Sequence, residues 1–133
     1  MAFTTKDFAK EYIDVDFSFA RHPLTNNVSI KKKVSAVRQS VINLMMLKQG
    51  DKPFHPEIKS PLYTFLFENR SFVLDFVIAD EVKKYLGIYE PRFSVSTVII
   101  KSIDKNSLKC DITGIVISVQ EQITVNILVD RLR

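Results

Sequence analysis

Residues 93–130 read FSVSTVIIKSIDKNSLKCDITGIVISVQEQITVNILVD, and this stretch decides the fold. Phe93, Val95, Thr97 and Ile99 alternate with Ser94, Ser96, Val98 and Ile100 as far as Asp104-Lys105-Asn106-Ser107, which has the composition of a turn. A second run, Leu108 to Val119, ends at Gln120-Glu121, and a third carries Ile123, Val125, Ile127 and Val129 at period two. Connections this short cannot hold parallel crossovers, so strands over 93–103, 108–119 and 122–132 are expected to form a three-stranded antiparallel meander. Such a sheet has an apolar face to cover, and the preceding residues must supply the cover.

They read mainly as helices. Pro91 disfavours helical angles at Glu90 and ends a helix over 72–89, with Val73, Val77, Ile78, Val82, Leu86 and Tyr89 inward and Asp75, Asp80, Lys83 and Lys84 outward. Ser60 and Pro61 suit the N-cap and first position of a short helix that carries Leu62, Phe65 and Leu66 and ends near Asn69. Pro53, Pro56 and Pro61 keep the stretch before it extended or turning. Farther back, Val34, Val37, Val41, Leu44 and Met45 fall at helical spacing in a helix over 29–49, with Asn27 or Ser29 as N-cap and Gly50 at its left-handed end. Tyr12 to Phe19 alternates polar with apolar residues, the pattern of a strand with one buried face. The sum is an α+β fold over 1–133 as a single domain: two long helices and a short helix packed on a small antiparallel sheet whose C-terminal part is the meander. Val41, Leu44, Val82, Leu86, Val95, Ile112, Val116 and Val125 are the expected core positions.

The composition narrows the function classes. With 133 residues, 46% hydrophobic and 26% charged, the chain has globular values that argue against disorder and leave no room for a separate cofactor domain. A net charge of +4 is weak beside an ordinary nucleic-acid footprint. The lone Cys110 can close no intrachain disulfide, and neither an export signal nor a membrane-spanning run is visible. The charge by itself is neutral evidence; a basic nucleic-acid adaptor with Lys31 to Lys33 and Arg38 as contacts is a weaker alternative, and the expectation is no nucleic-acid partner, no membrane and an unstapled core.

Candidate chemistry is sparse. His22 and His55 sit apart without a ligand cluster, so no metal is expected. Cys110 falls in mid-strand, and the three glycines form neither a phosphate-binding loop nor a nucleophile elbow, so no catalytic residue, cofactor or small-molecule substrate is assigned. Glu57, Glu68, Asp75, Asp80, Glu81 and Glu90 leave one enzymatic alternative, a peptidoglycan-cleaving glycoside hydrolase with two carboxyl groups. Lys31-Lys32-Lys33 reads as a solvated helix start. At Glu90-Pro91-Arg92 the proline keeps the tripeptide extended and projects a carboxylate and a guanidinium to one side, which suits either polar docking or a local, exposed ion pair.

Several strings in order along the chain carry a resemblance: Ile13-Asp14-Val15-Asp16-Phe17; Val37-Arg38-Gln39-Ser40-Val41 with Asn43-Leu44; Gly50-Asp51-Lys52-Pro53-Phe54-His55-Pro56-Glu57; Leu66-Phe67-Glu68-Asn69; and Tyr89-Glu90-Pro91-Arg92. Together the sequence resembles the small baseplate wedge proteins of contractile-tailed phages, the family of the sheath-initiating wedge subunit of T-even phages with relatives in type VI secretion baseplates. Lys52 stands where that family often has Arg, and Lys59 or Ser60 where it often has Gly. The further N-terminal motif of the secretion-system members is missing from Met1 to Glu11, which favours a phage tail or phage-like particle.

The resemblance implies a structural, non-enzymatic protein of the virion tail baseplate, assembled in the bacterial host cytoplasm. Its implied partners are the bundle of other wedge subunits and the tail sheath protein. It maps the family's Glu-Pro-Arg motif onto Glu90, Pro91 and Arg92 as the wedge-docking residues. The meander supplies a route to the second partner, because an open edge near Val125, Asn126 and Ile127 lacks a mid-strand proline or lysine and can accept a sheath strand.

Overall fold

The computed structural model describes residues 12–130. Along them run β1 (Ile13–Val15), β2 (Ile30–Lys32), α1 (Val34–Met46), α2 (Pro61–Phe65), α3 (Phe72–Tyr89), β3 (Phe93–Asp104), β4 (Ser107–Val116) and β5 (Glu121–Asp130). The fold is α+β, with β3, β4 and β5 as an antiparallel meander and β1 and β2 as a separate antiparallel pair. The end of the third expected strand, at 131–132, lies outside the described residues.

α3 spans the expected residues. The Ser71 side chain caps it by accepting from the Leu74 N–H at 3.1 Å, and the Glu90 N–H closes it on the Leu86 carbonyl at 2.8 Å before Pro91. α3 lies along β3 and α1 along β5, so the two long helices cover one face of the meander, and α2 packs on α3. The core joins Val37, Val41 and Met45 of α1, Ile78, Val82 and Leu86 of α3, and the inward residues of β4 and β5. Of the expected core positions, Leu44 and Val95 are only half-buried, at its margin. Val73 and Val77, read as inward, are exposed on the far side of α3.

Several boundaries differ from the sequence reading. α1 starts at Val34, not near 29, because Ile30–Lys32 pairs with β1 and uses those residues as a strand. No Asn27 or Ser29 cap exists: Lys33, at φ 52, makes the turn into the helix without a side-chain cap. The Lys31-Lys32-Lys33 run therefore occupies a strand and a corner. Gly50 does adopt a left-handed φ of 89, but in a turn beyond the helix end, which is capped at Leu47. α2 ends at Phe65, short of Asn69. β1 does alternate, with the opposite face in: Ile13, Val15, Phe17 and Phe19 are exposed while Tyr12, Asp14 and Asp16 turn toward the body.

The meander has two irregularities of its own. A bulge between Val95 and Thr97 flips the phase of β3, so Val98 and Ile100, rather than Thr97 and Ile99, continue the inward side begun by Phe93 and Val95. β4 stops at Val116, and the turn to β5 runs through residues 117–120, with Gln120 at φ 56 and its N–H bonded to the Val116 carbonyl at 2.8 Å. At Gly114 a Cβ would fall 2.3 Å from the Ser94 carbonyl oxygen and 2.6 Å from the Phe93 ring. Only glycine lets β3 cross so closely while Phe93 folds over it.

Candidate docking site

Glu90 is the C-cap of α3 and Arg92 immediately precedes β3, so Pro91 spans the helix-to-strand corner. The Glu90 side chain is buried, with the residue 2% exposed. Its two carboxylate oxygens accept from Arg92 Nε at 2.6 Å and Arg92 Nη2 at 3.0 Å, and Ser40 Oγ on α1 donates to Oε2 as well. Arg92 reaches onward: Nη1 meets Asp14 Oδ2 at 3.3 Å, and the guanidinium carbon lies 5.2 Å from the centre of the Tyr12 ring. The ion pair is thus neither purely local nor exposed. It ties α3, β3, α1 and β1 through one bidentate fork, while the Arg92 side chain stays 26% exposed and Pro91 is exposed.

The electrostatics follow from that enclosure. Burial alone would raise the Glu90 carboxyl, but the hydrogen bonds from Arg92 and Ser40 outweigh it and hold the group below its ordinary value. The hydrogen bond to Glu90 leads the interactions that push Arg92 further up. Both groups stay charged across the neutral range.

Gln39 sets the second half of the site. Its Nε2 donates to the Val15 carbonyl at 2.8 Å and its Oε1 accepts from the Phe17 N–H at 3.3 Å, so one buried amide holds the chain of β1 against α1. Between them opens a groove of about 500 Å³, lined by Val15, Phe17, Leu44 and Leu47 with Asn43 and Arg92 at its polar margin. A groove of this kind, apolar with a few fixed polar groups, can seat a segment of another protein. The sequence pointed to Glu90, Pro91 and Arg92 but not to Ser40, Asp14, Tyr12 or Gln39 as their supports. Ser40 lies 50 residues from Glu90, and Asp14 lies 78 from Arg92.

Val125, Asn126 and Ile127 sit in the middle of β5. Val125 and Ile127 face the core and Asn126 faces solvent. β5 hydrogen-bonds to β4 and, among the described residues, to no other strand. The corner at Arg92 and the β5 edge belong to different elements, and nothing brings them into one pocket.

The residues bearing on catalysis are arranged otherwise. Asp16, through the Ser18 N–H, and Glu57, through its own N–H and His55, are held below the usual carboxyl range, as Glu90 is. Burial pushes the Cys110 thiol up to about 12, which leaves it protonated at neutral pH. Among the described residues no group of three or more His, Cys, Asp or Glu side chains could hold a metal ion, and no helix is long and apolar enough to cross a membrane.

This architecture is shared with solved proteins. A chain of the anti-feeding prophage baseplate superposes with a TM-score of 0.69 at 26% identity, covering 81% of this chain and 87% of that one. The likeness supports a baseplate-like family of contractile injection systems and a structural role in a tail or baseplate. A Geobacter sulfurreducens protein provisionally described as a tail lysozyme superposes with a TM-score of 0.64 at 18% identity, covering 73% of this chain and 89% of that one. At that identity it shows a common fold. No protein-family model matches the chain, and no curated protein matches it in sequence.

Proposed function

We propose that this protein is a non-catalytic wedge subunit in the baseplate of a contractile phage tail or phage-like particle. It docks on neighbouring wedge subunits at the Glu90-Pro91-Arg92 corner and starts the tail sheath by strand addition along β5. The observation that carries the reading is the contrast between the two edges of the meander. β3 is broken by register shifts at Val95/Thr97 and Ser102/Asp104, the kind of irregularity that protects an edge. β5 keeps an unbroken register against β4 from Glu121 to Asp130 and offers a straight, regular edge to an incoming strand.

The corner supports the first contact in a specific way. Glu90 is buried and fixes Arg92, and Arg92 with Pro91 is the part that reaches the surface beside the groove. Docking there requires no cofactor, metal or small molecule, and the neighbour from the anti-feeding prophage, a component of a multi-subunit baseplate, supports other baseplate proteins as the partners. The protein then resides in the tail baseplate after assembly in the host cytoplasm.

The test uses particles assembled with Asn126→Pro and, separately, with Val125→Pro or Ile127→Pro. Adjacent strand residues point their N–H groups to opposite edges, so one of the two sets removes an outward donor without breaking the β4 ladder. In the variant that keeps the wild-type circular dichroism spectrum, electron micrographs should show complete baseplates without sheaths. Normal sheaths on all three variants would contradict recruitment at β5. Clearing of a peptidoglycan suspension by the purified protein would contradict the non-catalytic assignment.

A further inference from the structure

The outer side of α3, the helix that ends at the Glu90-Pro91-Arg92 corner, carries a further surface. Val73, Val77, Asp80, Lys84 and Gly87 recur at intervals of four and three, the seam spacing of a helix that packs on another helix. This seam turns away from Ile78, Val82 and Leu86, which fill the core. Val73 is 71% exposed, Phe76 63%, Val77 43% and Ile88 70%. Phe72 and Phe76 stack edge to face at 4.8 Å, which makes the N-terminal half of the ridge broad and aromatic. At the other end a Cβ on Gly87 would meet nothing within 4 Å, so the ridge dips to bare backbone. Between the two, Lys84 Nζ lies 2.7 Å from Asp80 Oδ2 and 3.5 Å from Glu81 Oε1.

We propose that this ridge pairs with the same ridge of a second copy of the chain, the two α3 helices running antiparallel. A two-fold axis midway between residues 80 and 84 sets Asp80 against Lys84 of the second copy and Lys84 against its Asp80. The two intrahelical pairs then close into a ring of alternating charge. The same axis brings Phe76 against Ile88 of the second copy and Val77 into the dip at its Gly87, so the bulky half of each helix fills the empty half of the other. A parallel pairing in register would oppose Asp80 to Asp80 and Lys84 to Lys84, and would leave the dip unfilled. Both the charge order and the shape therefore select the closed, antiparallel arrangement, in which one patch serves as both halves of the contact.

Sedimentation equilibrium of the full 133-residue chain over a range of concentrations tests this. The wild type should shift from monomer to dimer as concentration rises. Lys84→Asp places four acids at the axis and should weaken the dimer by roughly tenfold or more. Combining Asp80→Lys with Lys84→Asp reverses the ring and should restore it, while Gly87→Leu should abolish it by filling the dip. These positions are exposed, so unchanged circular dichroism spectra verify that the variants are folded. A wild-type monomer at every concentration would overturn the proposal, as would a dimer indifferent to Lys84→Asp. Loss of Phe76→Ser protein from assembled particles, with the wild type monomeric in solution, would overturn it in favour of a different subunit on the ridge.

Discussion

Glu90 and Arg92 stand on either side of one proline, yet their side chains link four elements, and the balance at that corner turns on a buried carboxylate. Burying a carboxylate costs several kcal/mol unless it is fully hydrogen-bonded, and here a guanidinium fork and a serine hydroxyl meet that requirement. Removing either partner strands the other. Arg92→Ala is therefore expected to lower fold stability as well as the proposed docking, whereas a groove change such as Val15→Glu tests the proposed docking with the fork intact. Glu90→Gln keeps the shape and removes the charge, and should cost about 1 to 3 kcal/mol at neutral pH by denaturant titration. The folded Glu90 carboxyl lies below its ordinary value of 4.5, so its contribution is complete above that pH and fades as pH falls through the lower folded value. The melting temperature of Glu90→Gln should approach that of the wild type in that acid range. A gap that persists undiminished as the pH is lowered until Glu90 is protonated in the folded wild type would assign the loss to packing alone.

At the scale of elements, burial ranks the helices' residues. Leu86 is fully buried, and Leu86→Ala should cost about 2 to 5 kcal/mol; Leu44 lies at the margin, and Leu44→Ala should cost clearly less. Equal losses in denaturant titrations would mean that the margin is packed as tightly as the centre. The elements that were legible in the sequence are those whose signals are local. α3 has its proline stop and a helical period that places Ile78, Val82 and Leu86 inward, though not Val73 and Val77, and the β4 and β5 alternation maps directly onto burial. The missed features depend on distant partners. Ile30–Lys32 has no strand signature beyond what a helix start would show, and it is a strand because β1 stands beside it. The bulge at Ser96 leaves two phases superposed in Val98-Ile99-Ile100, which alternation alone cannot separate. β1 was legible as a strand, but its orientation was not, because a polar side normally faces solvent and here Asp14 goes inward to Arg92. The Glu90-Pro91-Arg92 tripeptide was visible as a motif, while its supports at Ser40, Gln39 and Asp14 could be found only once the chain had folded.

For the whole molecule, the fold separates what holds it together from what it offers. Helices α1 and α3 close one face of the meander, the fork at Glu90 locks the corner, and among the described residues nothing covers the regular edge of β5 or the outer ridge of α3. An open regular edge is an aggregation hazard unless a partner strand covers it, so sheath addition would serve the stability of the baseplate as well as its growth. The central claim is that a sheath strand occupies that edge. A reconstruction of the assembled particle, at a resolution that traces the backbone where the baseplate meets the first sheath ring, measures this directly. We predict an extended sheath segment hydrogen-bonded along residues 121–130, about 4.8 Å from β5. A β5 edge facing solvent, with the first sheath ring seated on another surface of the protein, would contradict the account.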